Sequence, residues 1–215
     1  MITLAMSLAV ATAPALDTAP ETKNGRFVSD VLYRFAECVA KRRSKDVIKV
    51  FETEPNSDAE MRALARAGRT DMDCPQLSPV GGLKVRIPVF VGSLSEAYYH
   101  RALRGKAAML EPNEHLPEWP DDLSPSDPNF IWLNRRHFGW CLSFRDPSGV
   151  ASLLETAPLS PDESAAINAL GSIVKSCGRE IKVSEVSRQE LRASAAEGLV
   201  NRILHRDGVV AVETE

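Results

Sequence analysis

Four cysteines, at positions 38, 74, 141 and 177, are the residues of this chain best placed for covalent chemistry. Cys38 and Cys74 are 36 residues apart, and so are Cys141 and Cys177. No CxxC redox motif is present. Neither the close cysteine pairs nor the local Cys/His set typical of zinc sites occurs. Four cysteines allow three pairings, and disulfides are the chemistry that the spacing favours over free thiols.

Other reactive types are present without a constellation. The chain has no GxSxG elbow, HExxH, P-loop or GxGxxG sequence. The histidines, His100, His115, His137 and His205, form no i, i+4 pair. No residue is therefore assigned as catalytic, cofactor-binding or metal-ligating, and no cofactor is expected. Glu52 and Glu96 recur as Glu155 and Glu197, and a recurring carboxylate can serve as acid or base. Capping and salt-bridge roles are the expectation here, with Arg101 and Arg202 as the partners of Glu96 and Glu197.

These residues recur because the chain matches itself. Shifted by 103 positions, Phe35, Cys38, Arg42 and Val47 meet Phe138, Cys141, Arg145 and Val150. Glu52, Thr53, Pro55 and Ser57 meet Glu155, Thr156, Pro158 and Ser160. Glu60, Ala63, Gly68 and Cys74 meet Glu163, Ala166, Gly171 and Cys177. That makes 12 identities over the 40 positions from 35 to 74, where average composition gives roughly 2 to 3. After the second cysteine the shift becomes 101, and Ser93, Glu96, Arg101 and Leu103 meet Ser194, Glu197, Arg202 and Leu204. Duplication selects the pairing Cys38–Cys74 and Cys141–Cys177. Each bond closes a loop whose chain entropy is worth roughly 3 to 4 kcal/mol.

The elements that must position these residues read as helices. Phe27, Val31, Phe35, Cys38 and Val39 form one apolar stripe over 26–41. Arg42 and Arg145 fall at the end of the first helix of each unit, where a cation suits the dipole. A second helix is predicted over 46–52, ended by Pro55. Ser57 and Glu60 have capping-box spacing, and so do Ser160 and Glu163, the latter pair with Pro161 at the first helical position. A third helix then runs to Gly68 or Gly171, read as stops. A fourth covers 93–103 and 194–204. Val85, Ile87, Val89 and Val91 alternate, which suggests a minor short strand confined to an edge by Pro88.

The expected fold is thus mainly all-α, with two homologous units of about four helices and one disulfide each. Residues 26–106 form the first unit and 130–206 the second. A proline-rich linker spans 107–129, and 207–215 is a tail. Tyr98, Tyr99, Trp119, Trp132 and Trp140 are expected to fill the space between units. The basic run 41–45 is expected to be a solvated face, since its counterpart at 144–148 keeps little of the charge.

Residues 1–15 carry no charge, and the apolar run 2–10 is far shorter than the ~20 residues that span a bilayer. With the small residues of Ala13-Pro14-Ala15, this reads as a secretory signal peptide, the alternative being a buried N-terminal helix. No other segment is long and apolar enough to cross a membrane. Hydrophobic residues make up 44% of the chain, too many for a disordered protein. A net charge of −3 and an aromatic content of 6% argue against nucleic-acid binding.

The pattern F-x-x-C, E-T-x-P-x-S and a second Cys resembles an uncharacterised family of small exported bacterial proteins. Phe35, Cys38, Glu52, Thr53, Pro55, Ser57 and Cys74 carry it, with their counterparts in the second unit. The resemblance implies export and a helical repeat, and brings no activity with it. The expectation is a periplasmic or secreted, non-enzymatic protein that binds an envelope partner or has a structural role. The alternatives are a hydrolase-like envelope enzyme with carboxylates between the units, or a cytosolic regulator. Neither the partner nor the oligomeric state is written in the sequence.

Overall fold

A computed structural model describes residues 23–53, 57–68, 74, 86–113, 130–178 and 186–205. The signal-peptide reading of 1–15, most of the proline-rich stretch, Trp119, His115 and the tail lie outside these residues. Among the described residues the chain is all-α, with nine α-helices and no strand. They are α1 (Lys23–Arg42), α2 (Ser44–Phe51), α3 (Asp58–Ala67), α4 (Ile87–Tyr98), α5 (Phe130–Arg145), α6 (Pro147–Leu154), α7 (Pro161–Ala169), α8 (Gly171–Cys177) and α9 (Arg188–Leu204). A π-helical turn, Tyr99–Leu103, extends α4, and a 3-10 turn follows at Lys106–Met109.

Helix starts follow local chemistry. Ser57 accepts the Glu60 amide and Ser160 the Glu163 amide, each side chain satisfying one of the first orphan N–H groups. Asp146 does the same for Gly149 at the head of α6. Ser187 and Glu190 form a reciprocal capping box at the head of α9. Gly68 closes α3 as expected. Gly171 does not act as a stop: Leu170 closes α7 and Gly171 opens α8. Arg42 and Arg145 are the last residues of α1 and α5.

The suggested strand is corrected by α4. Ile87, Val89 and Val91 are helical, and Pro88 sits in the first turn, where no N–H is required. The alternation misleads because α4 is covered on nearly every side, so no polar face marks its helical period.

Both halves share one apolar core, built from residues such as Phe35, Leu94, Phe138, Leu142, Leu154 and Leu199. Helix α9 lies at its centre and packs on α4 and α5, while α1 packs on α4. The halves therefore meet at a filled helix crossing, not at an open concave surface. A Cβ added at Gly92 would collide with Ala193, and Gly139 and Gly198 leave no room for one against the Ser194 carbonyl and the Gly139 backbone. Tyr98 and Tyr99 are buried in this core, and Trp140 is half-buried and stacks on Phe144.

Two disulfides tie the helices. Cys38 of α1 is bonded to Cys74, and Cys141 of α5 to Cys177 at the end of α8. The Cα–Cα distances are 5.6 and 5.7 Å, within the ordinary disulfide range. The segment after the 3-10 turn is also pinned: Leu110 is buried, and the Asn113 amide donates to the Phe144 carbonyl at 2.7 Å.

Replacing Gly139 with Ala is expected to destabilise the protein by about 1–3 kcal/mol, the range for forcing atoms into a packed site. Urea denaturation measures this, and an unchanged midpoint would contradict the close crossing of α5 and α9.

Candidate functional site

The polar interior is concentrated in two buried clusters, each with one arginine and two glutamates. In the first, Arg192 of α9 meets Glu96 of α4 and Glu163 of α7, and all three are less than 6% exposed. The Arg192 Nε donates to both Glu96 oxygens at 3.0 Å. Its Nη1 donates to Glu163 Oε1 at 3.1 Å and to the Leu153 carbonyl at 3.0 Å. The Nη2 donates to the carbonyls of Leu154 at 3.1 Å and Thr156 at 2.8 Å. One guanidinium therefore joins α9, α4 and α7 and adds donors to carbonyls at and just beyond the end of α6, where the helical ladder runs out.

In the second cluster, Arg136 of α5 donates from Nη2 to Glu60 of α3 at 3.0 Å and from Nε to Glu197 of α9. Glu60 and Glu163 hold matching positions under the 103-residue shift, and Glu96 and Glu197 match under the 101-residue shift. The arginines do not match. Arg136 stands where the first half has Tyr33, and Arg192 where it has Val91. Tyr33 lies beside Ser29, Glu96 and Arg192 around one small pocket.

Burial dominates the electrostatics of both clusters. It holds the Glu163 carboxyl above its ordinary value, with Arg192 and the Leu159 amide opposing the shift. It likewise holds Glu197 up, against the pull of Arg136. The cause is common to both: two desolvated carboxylates share one guanidinium. Burial also pushes the Tyr33 hydroxyl up, reinforced by Glu96 and Glu37.

Around the Arg192 cluster, His100 Nε2 lies 3.7 Å from Glu96 Oε1, and His100 Nδ1 lies 3.9 Å from Glu155 Oε1. Glu155 is hydrogen-bonded by Arg104. Glu52 and Glu155 are the C-caps of α2 and α6. His205 Nε2 lies 3.2 Å from the Phe51 carbonyl, and His137 is half-buried. Among the described residues, no group of three His, Cys, Asp or Glu side chains is arranged to hold a metal ion.

The recurring Glu96 and Glu197 are spent on salt bridges as expected, but with Arg192 and Arg136 as partners. Arg202 donates to the Ser143 and Glu111 carbonyls and lies 4.4 Å from the centre of the Phe144 ring, and Arg101 is exposed. The arginines that matter lack counterparts, so a search for repeated residues passes over them. Their signal is local: Arg192 sits between Leu191 and Ala193 in a helix buried along most of its length. A charge there has to be paired. The chain matches no protein-family model, no curated protein and no solved structure.

A carboxyl whose folded pKa is raised holds its proton longer when folded. Stability from Glu163 is then full below its ordinary value of 4.5 and declines as pH rises through the folded value. The melting temperature of the native chain, relative to that of Glu163→Gln, is expected to fall as pH rises above about 4.5. A difference that stays constant or moves the other way would contradict the dominance of burial at Glu163.

Proposed function

We propose that this chain is exported and works in the bacterial envelope as a non-enzymatic helical protein, binding a partner or serving a structural role. The observation that carries the reading is the pair of disulfides, one in each half. Such bonds form and persist in oxidising compartments and are rare in the cytosol. The uncharged run at residues 1–15 supports a cleaved leader. The sequence resemblance to small exported proteins points the same way. In the described residues, no helix is long and apolar enough to cross a membrane.

The absence of catalysis is supported by how the buried acids are used. Glu60, Glu96, Glu163 and Glu197 each serve an arginine, and Glu163 also accepts the Leu159 amide at 2.9 Å. A hydrolase needs a carboxylate that can reach substrate, and these four are at most 3% exposed.

We further infer that the halves descend from one duplicated unit. Helices α2 and α6 start at Ser44 and Pro147, and α3 and α7 start at Asp58 and Pro161, which keeps the 103-residue shift. Helices α4 and α9 start at Ile87 and Arg188, which keeps the 101-residue shift. Gly92 and Ala193, which touch at the α4–α9 crossing, hold matching positions.

Expression of the full chain in a bacterial host, followed by fractionation and non-reducing peptide mapping, tests the reading. The expected product lies in the periplasm or medium, begins near Leu16, and contains Cys38–Cys74 and Cys141–Cys177. A cytosolic chain retaining Met1, with four free thiols, would overturn export.

A further inference from the structure

Six exposed cations gather around the joint of α1, α2 and α3. The run 41–45 is solvated, as expected: Lys41 and Arg42 end α1, Lys45 lies in the first turn of α2, and all three are exposed. Lys49 of α2 and Arg62 and Arg66 of α3 are exposed too. Lys45 and Lys49 lie opposite the buried Val47, Val50 and Phe51, and Arg62 and Arg66 point away from the buried Ala63, Leu64 and Ala67. Helices α2 and α3 pack on one another. Arg43, between α1 and α2, donates to the Arg66 carbonyl at 2.7 Å, which sets the end of α3 beside the start of α2.

The fold does not account for all of this charge. Lys41, Arg42, Lys49 and Arg66 sit in last turns, where the helix dipole suits a cation. Lys45 sits in a first turn, where the dipole disfavours one. Lys45 with Lys49, and Arg62 with Arg66, are like-charge pairs four residues apart, a spacing that repels on a helix. Under the 103-residue shift these pairs meet Ser148 with Ser152 and Ala165 with Ala169. Helices α6 and α7 form there without any of the four charges. The first half thus carries a repulsion that its helices do not require, and a negative surface laid against it relieves that repulsion.

The surroundings define the surface. Glu37 and Asp46 are the acids close to the six cations in sequence, while Glu52 and Asp58 lie at the far end of the pair, where α2 ends and α3 begins. Met61, beside Arg62, is 40% exposed and is one of two large apolar side chains left exposed among the described residues. Cations around an exposed apolar side chain match the interface of an anionic bilayer: phosphates take the charges, and the acyl boundary takes the methionine. A nucleic acid would use the cations and leave Met61 without a role.

We propose that the outer face of α2 and α3 docks on an anionic phospholipid surface. This names a partner for the envelope reading and rests on that reading for which membrane it meets. Binding to vesicles stands or falls separately, so failed export would leave it intact.

Flotation of the full, oxidised chain with phosphatidylcholine vesicles, with and without about one-third phosphatidylglycerol, tests it. The chain is expected to bind the anionic vesicles more tightly than the neutral ones. That preference is expected to vanish when sodium chloride rises from about 0.1 M to about 1 M, which shortens the screening length from about 10 Å to about 3 Å. Each cation at such a surface is worth about fivefold in affinity. Lys45→Ser combined with Lys49→Ser is therefore expected to weaken binding about 25-fold, and Arg62→Ala about fivefold. Melting temperatures are expected to stay the same or rise in both, since repulsion is removed. Equal binding to both vesicles, no binding to either, undiminished binding in both variants, or a lowered melting temperature in both would overturn the proposal. Release from the vesicles by a DNA duplex at equal phosphate concentration would overturn it too, and would reassign the face to nucleic acid.

Discussion

Among the described residues, each buried guanidinium is shared by two carboxylates drawn from different halves of the chain. Arg192 and Glu163 belong to the second half and Glu96 to the first; Arg136 and Glu197 belong to the second and Glu60 to the first. An ion taken out of water is costly, and the cost is offset only when its hydrogen bonds are met inside. Arg192 meets them by gathering α4, α7 and the end of α6 around α9. The relative placement of these helices follows from that requirement. Apolar packing between α4 and α9 tolerates small slides, whereas a forked, multiply bonded guanidinium does not.

The rest of the architecture is consistent with this constraint. Small residues at the crossings, Gly92 against Ala193 and Gly139 against Gly198, let the backbones approach closely enough for the charged side chains to reach across. The disulfides work within the halves. Each ties the first helix of its half to a residue beyond the third, and restrains the unfolded chain without setting the crossing of the halves. The two devices divide the work: sulfur bonds hold each half together, and buried charge sets one half against the other.

Sequence reasoning reached the parts of this structure that depend on local chemistry. Serines 57 and 160 announce helix starts because an N-cap needs only neighbouring amides, and the equal cysteine spacing announces the pairing. It failed where burial is complete. Helix α4 has hardly any exposed face, so the valines of its first turns look like a strand. The repeat exposed Glu96 and Glu197 but pointed to Arg101 and Arg202 as partners, because it draws attention to what is shared. Arg136 and Arg192 are where the halves differ, and nothing in a one-dimensional comparison says that position 192 faces position 96.

The central claim is that the Arg192–Glu96 interaction, across the halves, fixes their arrangement. A double-mutant cycle in urea with Arg192→Met, Glu96→Leu and the combined variant measures it directly. Each single change should cost about 3–5 kcal/mol, by leaving a buried charge without its partner. The combined variant should recover enough stability to give a coupling of at least about 2 kcal/mol. Losses that add to within about 0.5 kcal/mol would mean that the two side chains do not depend on each other, and would contradict the account.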